Sequence, residues 1–166
     1  SVNASEFIFE TAAMDGSGLS TIVVAKDPSR TYTSFRMGSG VVPIEPVAGT
    51  WDLVLTQYTH QFYEPFLPYI VTGVLSANTT RVALVTGVPF EQVALTDSLA
   101  HPFSAERDAI GYDWKVYSFE TASYTVDQSL VYLIHDAEGY FYKLRFLDFY
   151  SEQGQVGCPQ FVVEQL

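Results

Sequence analysis

VYLIHDAEGYFYKLRFLDFY, residues 131–150, is the stretch whose reading decides the fold. Val131, Leu133 and His135 alternate with Tyr132, Ile134 and Asp136, and successive side chains of a strand point to opposite faces. Asp136-Ala137-Glu138-Gly139 then supplies a turn: Asp suits its first position, and Gly139 can take the positive φ that such a loop demands. The return strand sets Tyr140, Tyr142, Leu144 and Phe146 on one face and Phe141, Lys143, Arg145 and Leu147 on the other. Large apolar groups on both faces predict a central hairpin covered on both sides, with Tyr132, Ile134, Leu144 and Phe146 buried. Burial of one such Phe or Leu contributes roughly 1.5–3 kcal/mol.

Working outward, the turn chemistry marks further short strands. Candidates in the first half are residues 5–10, 21–25, 31–37 and 51–58, with 41–46 at best an edge strand because of its two prolines. Residues 59–68, THQFYEPFLP, are aromatic and broken by proline, and read as an ordered loop able to meet a ligand or partner. Strands resume at 69–76, 81–86, 112–119, 124–126 and 160–166, with a short helix or two turns at 90–99. Regular strands with almost no helical period predict an all-β chain of mostly antiparallel strands, a sandwich or barrel-like pair of sheets with few short helices.

A length of 166 residues predicts a single domain over 1–166. Hydrophobic residues at 48% exclude a disordered chain, and no apolar run approaches a membrane span. The net charge of −11 opposes phosphate backbones, so nucleic acid is not an expected partner. Cys158 stands alone and reads as a small packed residue beside Pro159. Glu106, Asp108 and Asp113 could offer oxygens to calcium, but without EF-hand spacing they read as a solvated acidic surface. No nucleophile with a base, paired carboxylates or phosphate loop is visible, so an enzyme is not expected. His135 reads as a packed strand residue. His60 and His101 lie among aromatics, Phe62 beside the first and Phe103 beside the second, a setting that suits a flat apolar metal complex such as haem.

Trp51-Asp52-Leu53-Val54 with Tyr58, Thr72-Gly73-Val74-Leu75-Ser76, Gly111 to Trp114, and 131–150 together resemble the HmuY family of haem-binding surface lipoproteins. The likeness runs from Trp51 onward and is densest from Tyr124 to Tyr150. It implies an HmuY-like all-β fold and export to the outer membrane or cell surface of a Bacteroides-type bacterium. It also implies a lipid anchor, possible release from the cell, and haem capture for iron acquisition with an outer-membrane receptor. Family members carry two iron ligands, His or Met, from two loops. Here the position after Trp114 that would carry one is Phe119, and His101 is left as the occupant of the other loop. The resemblance therefore implies a cleft between His101 and Tyr117–Phe119, with His60 and Phe62 on a third wall and His101 on the haem iron. Tyr117 or His60 is a replacement ligand. The alternative is a haem-free module of the same fold that binds a protein or a glycan.

Overall fold

The computed structural model describes residues 5–166, which form two compact units divided between Ala48 and Gly49. The first holds β1 (Glu6–Thr11), β2 (Ser20–Ala25), β3 (Phe35–Arg36) and β4 (Gly40–Val41) as two antiparallel pairs, β1-β2 and β3-β4. Phe9 packs edge-on against Phe35 at 5.3 Å. Arg30 pairs with Asp27 and donates from Nε to the Glu45 carbonyl at 2.7 Å. Of residues 31–37 only Phe35 and Arg36 are strand; the preceding stretch instead turns with the Asp27–Arg30 network.

The second unit carries β5 (Leu53–Tyr63), β6 (Phe66–Ser76), β7 (Arg81–Val85), β8 (Lys115–Ser118), β9 (Ser123–Val126), β10 (Val131–His135), β11 (Phe141–Tyr150) and β12 (Val156–Gln165). Among the described residues all strand pairings are antiparallel, helix is confined to two short 3₁₀ turns at Phe90–Gln92 and Leu95–Leu99, and no barrel closes. The all-β expectation holds, realised as several small sheets. The largest has the order β12-β11-β10-β7.

The 131–150 hairpin lies at its centre, as its two-faced pattern requires. Ile134 faces Tyr142 and Tyr132 faces Leu144. Gly139 sits at φ +93°, while Asp136 Oδ1 accepts the N–H groups of Glu138 and Tyr140 at 2.9 and 2.8 Å. One face buries Tyr132, Ile134, Leu144 and Phe146 with Val74, Val82, Ile110 and Trp114. The opposite face buries Val131 and Leu133 with Ala83, Val85, Phe90 and Val93. Lys143 is buried on that second face because its ammonium donates to the carbonyls of Phe90 and Val93 and pairs with Glu164 at 3.1 Å. A buried charge needs such partners.

Residues 59–68 are not a loop. They complete a continuous hairpin in which β5 and β6 pair from Leu53↔Ser76 to Tyr63↔Phe66 around the turn Glu64-Pro65. Pro68 is tolerated because cross-strand register, not local alternation, sets this ladder, and a proline costs no ladder bond where its nitrogen faces away from the partner strand. Residues 112–114, expected as strand, are a bend and turn that lead into β8, and the last strand starts earlier than expected, at Val156.

β6 meets the rest of the unit along its C-terminal half: the Val74 N–H and C=O both bond Gly111, at 2.9 and 3.1 Å, and the Ser76 N–H donates to the Arg107 carbonyl at 2.7 Å. Gly73 allows this approach: a Cβ there would stand 2.4 Å from the Gly111 carbonyl oxygen. Gly73→Ala is expected to cost roughly 2–3 kcal/mol, because backbone rather than a mobile side chain must move. Gly139→Val, where only the positive φ is strained, should cost about 1–2 kcal/mol. Urea unfolding midpoints check both, and a Gly73→Ala midpoint equal to the parent's would show that the approach is not tight.

Candidate functional site

Beyond the Val74–Gly111 contact, β6 and the β8-β9 hairpin diverge. The gap between them is a groove of about 650 Å³. One wall is the consecutive run Tyr69, Ile70, Val71 and Thr72 of β6 with Gln57 and Phe62 of β5; the other is Tyr112, Asp113, Lys115, Val116 and Tyr117, with Tyr124 behind. Consecutive residues on both sides mean that strand edges, not only one side-chain face, line the opening.

Aromatic rings dominate it. Tyr117 packs against Tyr124 at 4.9 Å and against Phe119 at 5.1 Å. Phe62 approaches Tyr69 at 6.5 Å and Tyr112 at 6.1 Å. The phenols of Tyr112 and Tyr124 are held above their ordinary pKa, chiefly by burial; Asp113 adds to the first, and Tyr69, Tyr117 and Tyr150 to the second. Both stay neutral at physiological pH. Nearby, Tyr58 is pushed up to about 12 by burial and then by Asp108, Asp113 and Tyr112, and among the described residues its hydroxyl has no hydrogen-bond partner.

Lys115 is the cation of the groove and is only 7% exposed. Its Nζ donates across the gap to the Thr72 carbonyl and lies 4.3 Å above the Trp114 ring and 4.8 Å from that of Phe149. Trp114 in turn stacks on Phe146 at 3.9 Å and donates from Nε1 to the Gly111 carbonyl at 3.2 Å. The hydrophobic core thus holds the start of β8, and β8 holds the lysine.

The structure brings together only part of the site expected from sequence. Tyr117 and Phe62 line the groove. His60 stands behind Phe62 and Tyr112, its ring edge-on to them at 4.9 and 5.0 Å. Phe119 is 91% exposed at the end of β8 and touches the groove only through Tyr117. His101 is not among the lining residues. It follows the second 3₁₀ turn, and the chain then carries Phe103 to His135 and Phe141 and bridges Ser104 to Val82. The groove described here runs between Tyr117 and β6, and His101 is not on its wall. Residues missed in the sequence are Gln57, Tyr69, Thr72, Tyr112, Lys115 and Tyr124. The aromatic and charged run after Gly111 is a signal that could have found Tyr112 and Lys115. Among the described residues, no three His, Cys, Asp or Glu side chains stand close enough to hold a metal ion.

Burial lowers the Lys115 pKa to about 8, against the opposing pull of Asp113. In the unfolded chain a lysine titrates near ~10.4. Between those values the unfolded state binds the extra proton, so raising the pH through this window stabilises the folded state. The parent is therefore expected to gain stability relative to Lys115→Met as pH rises from about 8 to about 10. Urea midpoints of both chains across that range check it; midpoints that move in parallel would show that Lys115 titrates as a free lysine.

No family model, curated protein or solved structure matches this chain.

Proposed function

We propose that this chain is a binding protein rather than an enzyme, an exported haem-capturing surface lipoprotein of HmuY type, with the tyrosine-walled groove as its haem site. The observation that carries the reading is the convergence of five aromatic rings, Phe62, Tyr69, Tyr112, Tyr117 and Tyr124, on one open groove with a lysine at its base. Such a groove suits a flat ligand: stacked aromatics take its apolar faces, and an ammonium takes an acidic edge group. The groove's volume lies within the ordinary range for small-molecule sites, about 300–1,000 Å³.

The residues fit haem in part. Haem iron accepts a tyrosine oxygen as axial ligand, as it accepts His or Met. Tyr117, 39% exposed and on the groove wall, would supply that oxygen. Phe119 cannot ligate, and His101 lies elsewhere, so the two-ligand pattern of His or Met is not what this groove offers. Lys115 would hold a haem carboxylate, and Phe62 and Tyr69 would face the ring. Bound haem would supply the iron cargo, delivered to an outer-membrane receptor.

A second reading, a haem-free module that binds a protein or glycan, is favoured by the exposed aromatics Tyr63, Phe66 and Phe119, at 76%, 75% and 91%. Exposed aromatics at such density mark contact surfaces. Titration with haemin separates the two. The haem reading expects a shifted Soret band, with affinity weakened about tenfold or more, ~1.4 kcal/mol, in Tyr117→Phe and unchanged in His101→Ala. A spectrum identical to haemin in buffer would move the assignment to the second reading, and sensitivity to His101→Ala alone would move the site.

A further inference from the structure

β5 and β6 are paired only with each other over most of their length, and β5 leaves a long edge open. The direction of its main-chain groups follows from one contact. Val74 exchanges both of its main-chain bonds with Gly111, on the side of β6 away from β5. Its cross-strand partner Leu55 therefore belongs to a non-hydrogen-bonded pair and turns its N–H and C=O away from β6. With a period of two, Gln57, Thr59 and Gln61 do the same. The ladder's extension agrees: Ala77 N–H bonds the Asp52 carbonyl, so even-numbered residues of β5 face inward. Among the described residues no strand or bridge occupies the outer side of β5. Its outward carbonyls receive one weak bond, from the Thr56 hydroxyl to Gln57 at 3.2 Å.

Open edges in monomers are blunted by charge, proline or cover. β12 carries Pro159 and Glu164, and β7 is bridged by Ser104. β5, LVLTQYTHQFY, has neither proline nor a formally charged residue. Between Leu53 and Ser76 the sole such charge is Glu64, in a chain of which 16% of residues are charged and whose net charge is −11. The hairpin also exposes Leu55, Tyr63, Phe66, Leu67 and Ile70. Two copies of so acidic a chain repel one another across most of their surface, but not along this strand.

We propose that β5 is an interaction edge that pairs antiparallel with β5 of a second copy, making a four-stranded sheet across a two-fold axis. The register that uses every outward group places Tyr58 at the axis, Gln57 opposite Thr59 of the partner copy, and Leu55 opposite Gln61. A strand paired with itself antiparallel is self-complementary, as an isologous interface requires. The inference rests on the fold alone and stands or falls independently of the haem reading.

Sedimentation velocity of the full chain under reducing conditions, which keep Cys158 from cross-linking, tests it over micromolar to millimolar concentrations. The expected result is a dimer that dissociates on dilution. Thr59→Pro removes an outward N–H and leaves the β5-β6 ladder whole, so it should raise the dissociation constant at least tenfold while circular dichroism and haemin titration match the parent. Should that variant fail to fold, Thr59→Lys places a charge on the same edge and should have the same effect on dimerisation. A parent that stays monomeric throughout, or a dimer that withstands Thr59→Lys, overturns the proposal.

Discussion

Trp114 lying flat on Phe146, 3.9 Å apart and 11° from parallel, is the contact on which the second unit depends. Phe146 belongs to the central hairpin, whereas Trp114 begins the segment that walls the groove. Both are at most 1% exposed, so their stacking removes most of two large aromatic surfaces from water. The Trp114 indole also ties back to Gly111, the residue that meets β6. One ring therefore ties the bend at 111–114 to the central hairpin beside the groove.

Buried lysines recur around this core with a common logic. Lys143 gives its ammonium to the carbonyls of Phe90 and Val93, and Lys115 gives its own to Thr72. Lys143 thereby caps the carbonyls of a 3₁₀ turn, and Lys115 a carbonyl of strand β6. Each also lies over aromatic rings, Lys143 over Phe90 at 4.7 Å and Lys115 over Trp114 at 4.3 Å. The small sheets are joined by such side-chain bridges and by short two-residue contacts rather than by continuous ladders. The groove is one consequence and the open edge of β5 another: where sheets stay small, strand edges remain available.

The tyrosines of the groove are built from two hairpins that do not pair with each other. Tyr69 comes from β6, Tyr117 and Tyr124 from β8 and β9, and Tyr112 from the bend between them. Their spacing is thus set by the angle at which the hairpins diverge, which the Trp114 stack and the Gly73–Gly111 approach fix together. A site held in this way can be shaped by single changes at its apex without altering any residue that touches a ligand.

What the sequence by itself determined was local. The alternation in 131–150, the Asp136–Gly139 turn and the burial of Tyr132, Ile134, Leu144 and Phe146 were legible because a strand's two faces and a turn's φ requirements are written in neighbouring residues. The candidate site was legible only in fragments: Tyr117 and Phe62 reach the groove, while His101, chosen by chemistry and resemblance, does not. The run 59–68 looked like a loop because Pro65 and Pro68 break its local pattern, yet it is strand because all eleven residues from Phe66 to Ser76 find partners on β5. The reach of Lys115 to Thr72 spans 43 residues of sequence, and no local pattern encodes such a contact. Only the tertiary structure could decide which aromatic residues face one another, because that depends on the angle between hairpins, and the angle is set by a buried tryptophan stacked on a distant strand.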